Sequence, residues 1–453
     1  MKNRIKQYLL AASMCVGLTA CSDFFEPIPG VQFGLDETFA SKQRTEEYLN
    51  NVYSYVREVT DAIHPNTYGG IFTEASLDGA NRWNKTYAEW TNGSFNSASA
   101  QASEYFSKYY QAIAKASTFI QNVDKCTEAA ASTRGKWKSE ARALRAYYYF
   151  ELLRLYGPIP LIGEDPIPLD ASLEELIKER NSVDECVNFI ATELQSAIDS
   201  GDLLQRAGKA NLGRMDVATC MALKAKLYLY WASPLFNGNT DQASVKNKDG
   251  KQLFPQTEDH SKWTQARDAY ERFMTFATGQ GYKLTEVYTN GKLDPYASCR
   301  AAGEFFTTTW EAVDELIFVK LRDLYDYTYW VCPKFTDFQD TDVTGGGGYY
   351  TTQETVDLFF TKDGLTIEED PGYDKFEGIP GTNNFTSGRY YDPNNPSRLY
   401  FDADKSKVLK QWKDREPRFY VNITYSGSIW LNEGKYNEEM RTDFTNGANG
   451  TCG

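Results

Sequence analysis

The chain has 453 residues, a formal charge of −14 and a hydrophobic content of 41%. That is enough apolar material for one large core or two to three ordinary domains, and it argues against disorder. The acidic balance argues against nucleic acid and against a broad polyanion-binding surface, while leaving room for a local basic site.

Aromatic content is 15%, with 31 Tyr, 26 Phe and 9 Trp. Part of that serves the core, and an excess of Tyr and Trp also suits a surface for flat or amphipathic ligands. The two histidines, His64 and His260, lie in no metal or triad motif, so no catalytic residue, metal or cofactor is assigned. Cys126, Cys186, Cys220, Cys299, Cys332 and Cys452 form no CxxC pair. They read as buried or incidental thiols, with one or two disulfides as the alternative.

At the N-terminus, Lys2, Arg4 and Lys6 precede an apolar stretch over 8–18 that is too short to span a bilayer. Leu18-Thr19-Ala20-Cys21 then reads as a lipobox. It makes 1–20 a lipoprotein signal peptide and Cys21 the attachment point of a diacylglycerol, with further acylation of the new amino terminus. Several chains on one residue anchor stably, at about 0.8 kcal/mol per buried methylene. Residues 21–40 read as a lipidated start and a tether stiffened by Pro27 and Pro29. No later stretch is apolar for long enough to cross a membrane.

From 41 to about 280 the pattern is helical. Leu49, Val52, Val56 and Val59 form one stripe, and Tyr109, Ile113, Ala116, Ile120 and Val123 another. Residues 137–161 follow, almost without a polar face and stopped at Gly157-Pro158. Ala141, Leu144, Tyr148, Leu152 and Leu155 make one stripe there, and Ala143, Ala146, Phe150 and Leu153 a second. Two stripes require packing on both sides, as in a bundle or stacked array. Arg142, Arg145 and Arg154 are placed at the edges, stems packed and heads toward carboxylates. Ser182 and Glu185 form a capping box ahead of Val183, Val187, Ile190, Leu194 and Ala197. A further helix runs through Ala222, Ala225, Leu229 and Ala232, and a last one places Trp263, Ala266, Tyr270 and Phe273 on one face. Ala146, Phe150 and Pro158, and separately Trp263, Ala266 and Tyr270, match fragments of the tetratricopeptide pattern.

Long polar, aromatic segments interrupt the helices. Residues 67–99 carry Asn81-Arg82-Trp83-Asn84, and 237–255 read as an exposed mobile loop. Beyond 281 the pattern is irregular. It includes Tyr325-Asp326-Tyr327-Thr328-Tyr329-Trp330, the acidic residues Asp337, Asp340 and Asp342, and the glycines 345–348. The acidic group reads as a solvated loop rather than a calcium site, since it lacks the EF-hand spacing. Long loops rich in aromatics are candidates for function. A sugar offers C–H patches on its ring face and hydroxyls at its rim, so it needs an aromatic surface with planar polar partners. Asn81, Arg82 and Trp83 supply that mixture, and Tyr327, Tyr329 and Trp330 supply a second aromatic group. Trp412 and Trp263 are placed in the core.

Four segments carry a family resemblance. Glu140-Ala141-Arg142 with Leu144-Arg145-Ala146-Tyr147, Tyr149-Phe150, Leu155-Tyr156-Gly157 and Ile159-Pro160-Leu161 is similar to the signature of the SusD/RagB family of outer-membrane nutrient-binding lipoproteins. Residues 214–237 resemble its next helical block. Residues 351–359 resemble its capped short helix, with Thr351 and Glu354 as the capping box. Trp412-Lys413-Asp414-Arg415-Glu416-Pro417-Arg418-Phe419 resembles its W-x-x-R-D-P-R-F element, with Glu416 in place of Asp. The acidic stretch after Cys21 resembles the export signal of such lipoproteins.

The resemblance implies a mainly α fold, an irregular tetratricopeptide-like scaffold over 41–280 with long insertions and minor β structure. A loop-rich region follows over 281–453, which ends where relatives run on into further helices and is expected to lack that part. It implies a surface-exposed protein of the outer membrane that captures an oligosaccharide, or a peptide, and passes it to a SusC-like TonB-dependent channel. The alternatives from other classes are a glycoside hydrolase working with two carboxylates about 5 Å or about 6.5–9.5 Å apart, and a scaffold without a ligand.

Overall fold

A computed structural model describes residues 33–56, 76, 79–81, 89, 93–163, 167, 171–303, 314–320, 349–374, 384–404 and 407–429. Cys21, Val59, His64, Arg82, Trp83, Tyr327, Tyr329, Trp330, Asp337, Asp340 and Asp342 lie outside these residues, as do Cys332, Cys452 and the glycines 345–348.

Helical structure begins ahead of position 41. Helix α1 (Leu35–Ala40) buries Phe39, and α2 (Lys42–Tyr53) buries Leu49 and Val52. After strand β1 (Ala80–Asn81) come α3 (Ala100–Asn122) and α4 (Ala131–Tyr156). Helix α4 is the centre of the scaffold. It packs on α3 and, on another side, on α6 (Val183–Asp199), with the short α5 (Leu173–Leu176) between them in sequence. The two apolar stripes of α4 therefore both find partners. Ala141, Ala143 and Ala146 are fully buried and let neighbours approach, while Leu144, Leu152 and Phe150 fill the space between helices. Each such large side chain contributes about 1.5–3 kcal/mol through burial. Gly157, at φ +69°, stops the helix in a conformation that disfavours any side chain.

The tyrosines of α4 tie it to its surroundings. Tyr148 donates to the Val52 carbonyl of α2, and Tyr149 donates to the Ile162 carbonyl at 2.7 Å. The arginines reach carboxylates, but Arg145 is not at an edge. It is fully buried, donating to Glu193 of α6 and to Ser117 of α3. A guanidinium is tolerated there because its planar fork meets a carboxylate and a hydroxyl. Glu140 is also buried. It accepts from Tyr53 at 2.8 Å and from Arg214 at 3.2 Å. Burial raises the Glu140 carboxyl above its ordinary range, opposed by Arg214 and Tyr53.

Helix α6 opens with the Ser182/Glu185 capping box and buries the five apolar residues expected of it. Helix α7 (Val217–Ala232) is capped by Asp216, which accepts from the Thr219 amide at 2.7 Å. Two expectations fail on α7 and on α8 (Ser261–Gly279). Leu229 is 39% exposed and Trp263 is 41% exposed. On α8 the buried stripe is Lys262, Ala266, Ala269, Phe273 and Ala277: Ala266 and Phe273 are buried as predicted, while Lys262 and Ala269 take the places expected of Trp263 and Tyr270. Lys262 holds that register. Its stem and ammonium lie over Trp231, 4.4 Å from the ring centroid, and the ammonium pairs with Asp184 at 2.9 Å.

The 237–255 segment is exposed over most of 240–250, as expected, but its two ends are packed. Leu253 is fully buried, Phe254 stacks on Phe236 with centroids 6.3 Å apart, and the Leu253 carbonyl accepts from the Val183 amide. Asn237 is buried and bonded to the Asp259 backbone in both directions. At Asn237 the polar composition that suggested a free loop serves these internal bonds.

Beyond 281 the described residues form short elements joined by irregular connections. Strands β2 (Tyr288–Thr289) and β3 (Lys292–Leu293) form a hairpin before α9 (Pro295–Gly303). Strand β4 (Tyr349–Tyr350), α10 (Gln353–Asp357), the antiparallel pair β5 (Arg389–Asp392) and β6 (Asn395–Asp402), and α11 (Pro417–Asn422) follow. A second apolar cluster joins Tyr296, Val356, Phe401, Phe419 and Tyr425, with Tyr400 and Tyr420 stacked at 3.9 Å. Trp412 packs against this cluster as expected, stacked on Phe419. Arg415 is buried and donates to the Phe359 carbonyl at 2.9 Å, which locks α10 to the segment before α11. The cap of α10 is Thr352, not Thr351: Thr352 accepts from the Thr355 amide. Cys126, Cys186, Cys220 and Cys299 are free thiols.

Candidate functional site

The six predicted ligand residues fall on two segments whose described ends meet in two places. The first is at the end of α2. Lys320 donates from Nζ to the Val56 carbonyl at 2.6 Å and to the Ser54 carbonyl at 3.1 Å. Val56 leads into the segment that carries Trp83, and Lys320 leads into the segment that carries Tyr327, Tyr329 and Trp330.

The approach to Lys320 is fixed from several sides. Arg206 holds Asp314 at 2.9 Å, Thr219 donates to the Ile317 carbonyl at 3.2 Å, and Phe318 meets Tyr147 edge-on at 6.0 Å. Gly213, at φ +82°, passes so close that a Cβ there would lie 2.9 Å from the Val319 carbonyl oxygen. A larger residue would push the 314–320 segment off the scaffold.

The second meeting place is the antiparallel pair β1–β4, with Ala80 opposite Tyr350 and Asn81 opposite Tyr349. Arg82 and Trp83 follow Asn81 directly in sequence, and Tyr349 follows the segment of Tyr327, Tyr329 and Trp330. Tyr350 is 42% exposed. Of the predicted residues, the structure thus places Asn81, in β1. Arg82, Trp83, Tyr327, Tyr329 and Trp330 lie outside the described residues. Tyr349, Tyr350 and Lys320 were not singled out from sequence. The signal available was the aromatic pair directly after the glycines 345–348.

The arrangement supplies two aromatic-bearing segments rooted side by side on a rigid helical frame. No helix among the described residues is long and apolar enough to cross a membrane.

The frame is a mainly α, irregular helical scaffold interrupted by insertions. A family model described as "Starch-binding associating with outer membrane" matches residues 32–229, and one described as "SusD family" matches residues 315–451. The chain belongs to the SusD/RagB family. It is 27% identical over 175 residues to a SusD-like protein of Bacteroides ovatus, a match covering 37% of this chain and 30% of that protein. The solved structure of BT4246 superposes with a TM-score of 0.70 at 23% identity, covering 89% of this chain and 68% of that one. A SusD-like protein of Bacteroides fragilis gives 0.62 at 19% identity, covering 91% and 67%. The mainly α, tetratricopeptide-like reading stands with these neighbours.

Proposed function

We propose that the chain is a glycan-binding protein of the cell surface, tethered to the outer membrane through lipid on Cys21. It captures oligosaccharides and hands them to a SusC-like TonB-dependent channel. The binding surface is formed by Asn81, Arg82 and Trp83 on one segment and Tyr327, Tyr329 and Trp330 on the other. The observation that carries this reading is the shared rooting of the two segments, at Val56–Lys320 and at Asn81–Tyr349. Family membership and the starch-binding description of the first family model support the ligand class.

In this reading the protein is a binder and not a hydrolase: the work is done by aromatic faces and planar polar groups, without a covalent step. Affinity per site is modest, because much of what the sugar gains by stacking it loses in displaced water. A glycan-array screen followed by isothermal titration tests it. Trp83→Ala is expected to weaken binding of an array-selected oligosaccharide at least tenfold with the melting temperature unchanged. An array without ligands overturns the glycan reading, and unchanged affinity removes Trp83 from the site.

A further inference from the structure

A cleft lies between α9 and β6, with a volume of about 420 Å³. Its apolar lining includes Val287 and, four residues apart on one face of α9, Ala297 and Ala301. Its rim carries Arg300 from the helix and Asn395 and Ser397 from the strand. Arg398 completes the wall. Its guanidinium lies 4.3 Å from the Tyr296 ring centroid and is held by Asp294 in a two-point contact at 2.9 and 3.0 Å and by Asp392 at 2.7 Å.

This geometry decides what the cleft takes. Tyr296 is buried and covered by Arg398, so the cleft offers no free aromatic platform. The two cations Arg300 and Arg398 are offset by Asp294 and Asp392 directly behind Arg398. The local charge is balanced, which leaves little attraction for an anion. What remains is an apolar floor of methyl groups under a rim of amide, hydroxyl and guanidinium, the last pre-set by buried carboxylates. An uncharged ring with one C–H face and hydroxyls around its edge matches both parts.

We propose that this cleft is a second saccharide subsite, sized for one or two neutral pyranose units and independent of the aromatic loops. The proposal rests on the glycan-binding reading for the class of its ligand. It gives the protein a second point of contact for a long glycan, and two weak contacts on one chain raise retention well above either alone.

Alanine-methyl NMR of the full chain reads the cleft directly through Ala297 and Ala301. The probes are glucose, galactose, mannose and xylose, with galacturonate as the acidic control. At least one neutral sugar is expected to shift both methyls saturably, with a dissociation constant of about 1–10 mM. Galacturonate is expected to bind no tighter. Ala301→Phe, which fills the floor, is expected to weaken the Ala297 response at least tenfold, and Arg300→Ala to weaken it about threefold to tenfold. Trp83→Ala leaves the response unchanged. Silence of both methyls with all four neutral sugars overturns the proposal, as does a response that survives Ala301→Phe in a folded variant. A preference for galacturonate overturns the neutral assignment. Loss of the response in Trp83→Ala assigns it to the loops instead. Failure of the loop reading shows separately, as an unchanged titration of Trp83→Ala with the array-selected glycan.

Discussion

Lys320 and Val56 share a hydrogen bond of 2.6 Å, from the side-chain ammonium of one to the backbone carbonyl of the other. Their positions are far apart in sequence, and each is the last described residue before a segment carrying predicted ligand aromatics. The bond fixes the spacing of the two roots. Lys320→Met keeps most of the stem and removes the donor. It is expected to lower glycan affinity about threefold to tenfold, because misplacing a binding group costs more than losing one surface bond. The melting temperature should move by only about 2–3 °C, since hydrogen bonds from a charged group contribute about 1.5–3 kcal/mol and the rest of 314–320 stays docked. Titration beside a thermal melt separates the two effects.

Arg145 makes a different kind of contact. It sits fully buried between α3, α4 and α6 and uses Glu193 and Ser117 as partners. Removing one member of a buried pair costs about 3–5 kcal/mol when the other charge loses its compensation; Glu193 keeps Arg142 at 3.0 Å, which places the cost toward the lower end. Arg145→Ala is therefore expected to shift the urea midpoint strongly or abolish folding. Arg145→Met with Glu193→Leu removes both charges and should recover much of the loss. A double variant no better than Arg145→Ala would mean that the stem and its packing, not the charge, carry the contribution.

The face of α8 gives a sharper contrast. Phe273 lies in the core and Trp263 stands at the surface, although simple helical spacing puts them together. Phe273→Ala is expected to cost about 3–5 kcal/mol, and Trp263→Ala less than about 1 kcal/mol. Equal losses by chemical denaturation would contradict the buried stripe through Lys262.

These residues also show what could be read from sequence. The stripes of α3, α4 and α6 were legible because apolar residues recur there at helical spacing and both faces of α4 find partners. The register of α8 was not, because hydrophobic patterning assigns a lysine to solvent. Lys262 is inside because Asp184 and the Trp231 ring meet it, and both lie elsewhere in the chain. The exposure of 240–250 was legible from composition, but the anchoring of the segment's ends was not: Asn237 makes internal bonds that composition alone assigns to water. For the candidate site, Asn81 and its neighbours were legible as a residue mixture. The pairing of Asn81 with Tyr349 was not, since two-residue strands leave no periodic signal. The α9–β6 cleft gave no signal either, because its residues come from stretches that each look ordinary.

Asp294 makes the last prediction. Burial disfavours its charge, but two bonds from Arg398, one from the Ala297 amide and one from Thr289 outweigh that and hold its carboxyl down at about 2. A carboxyl depressed in the folded state binds its proton more readily once unfolded. Its contribution is thus complete above the unfolded value of about 4 and is lost as pH falls toward 2. The depression corresponds to roughly 2 kcal/mol at neutral pH. Asp294→Asn keeps the shape, removes the charge and weakens the hold on Arg398. At pH 7 it should lower stability by about 2 kcal/mol. As pH falls from about 4 toward 2 the difference should shrink, to less than half of its neutral value by about pH 2.5, because the unfolded and then the folded carboxyl take up their protons. Urea unfolding at pH 7, 4 and 2.5, followed by tyrosine fluorescence, reads both limits. A difference that stays constant down to pH 2.5 would assign the loss to altered hydrogen-bond geometry rather than to the charge of Asp294.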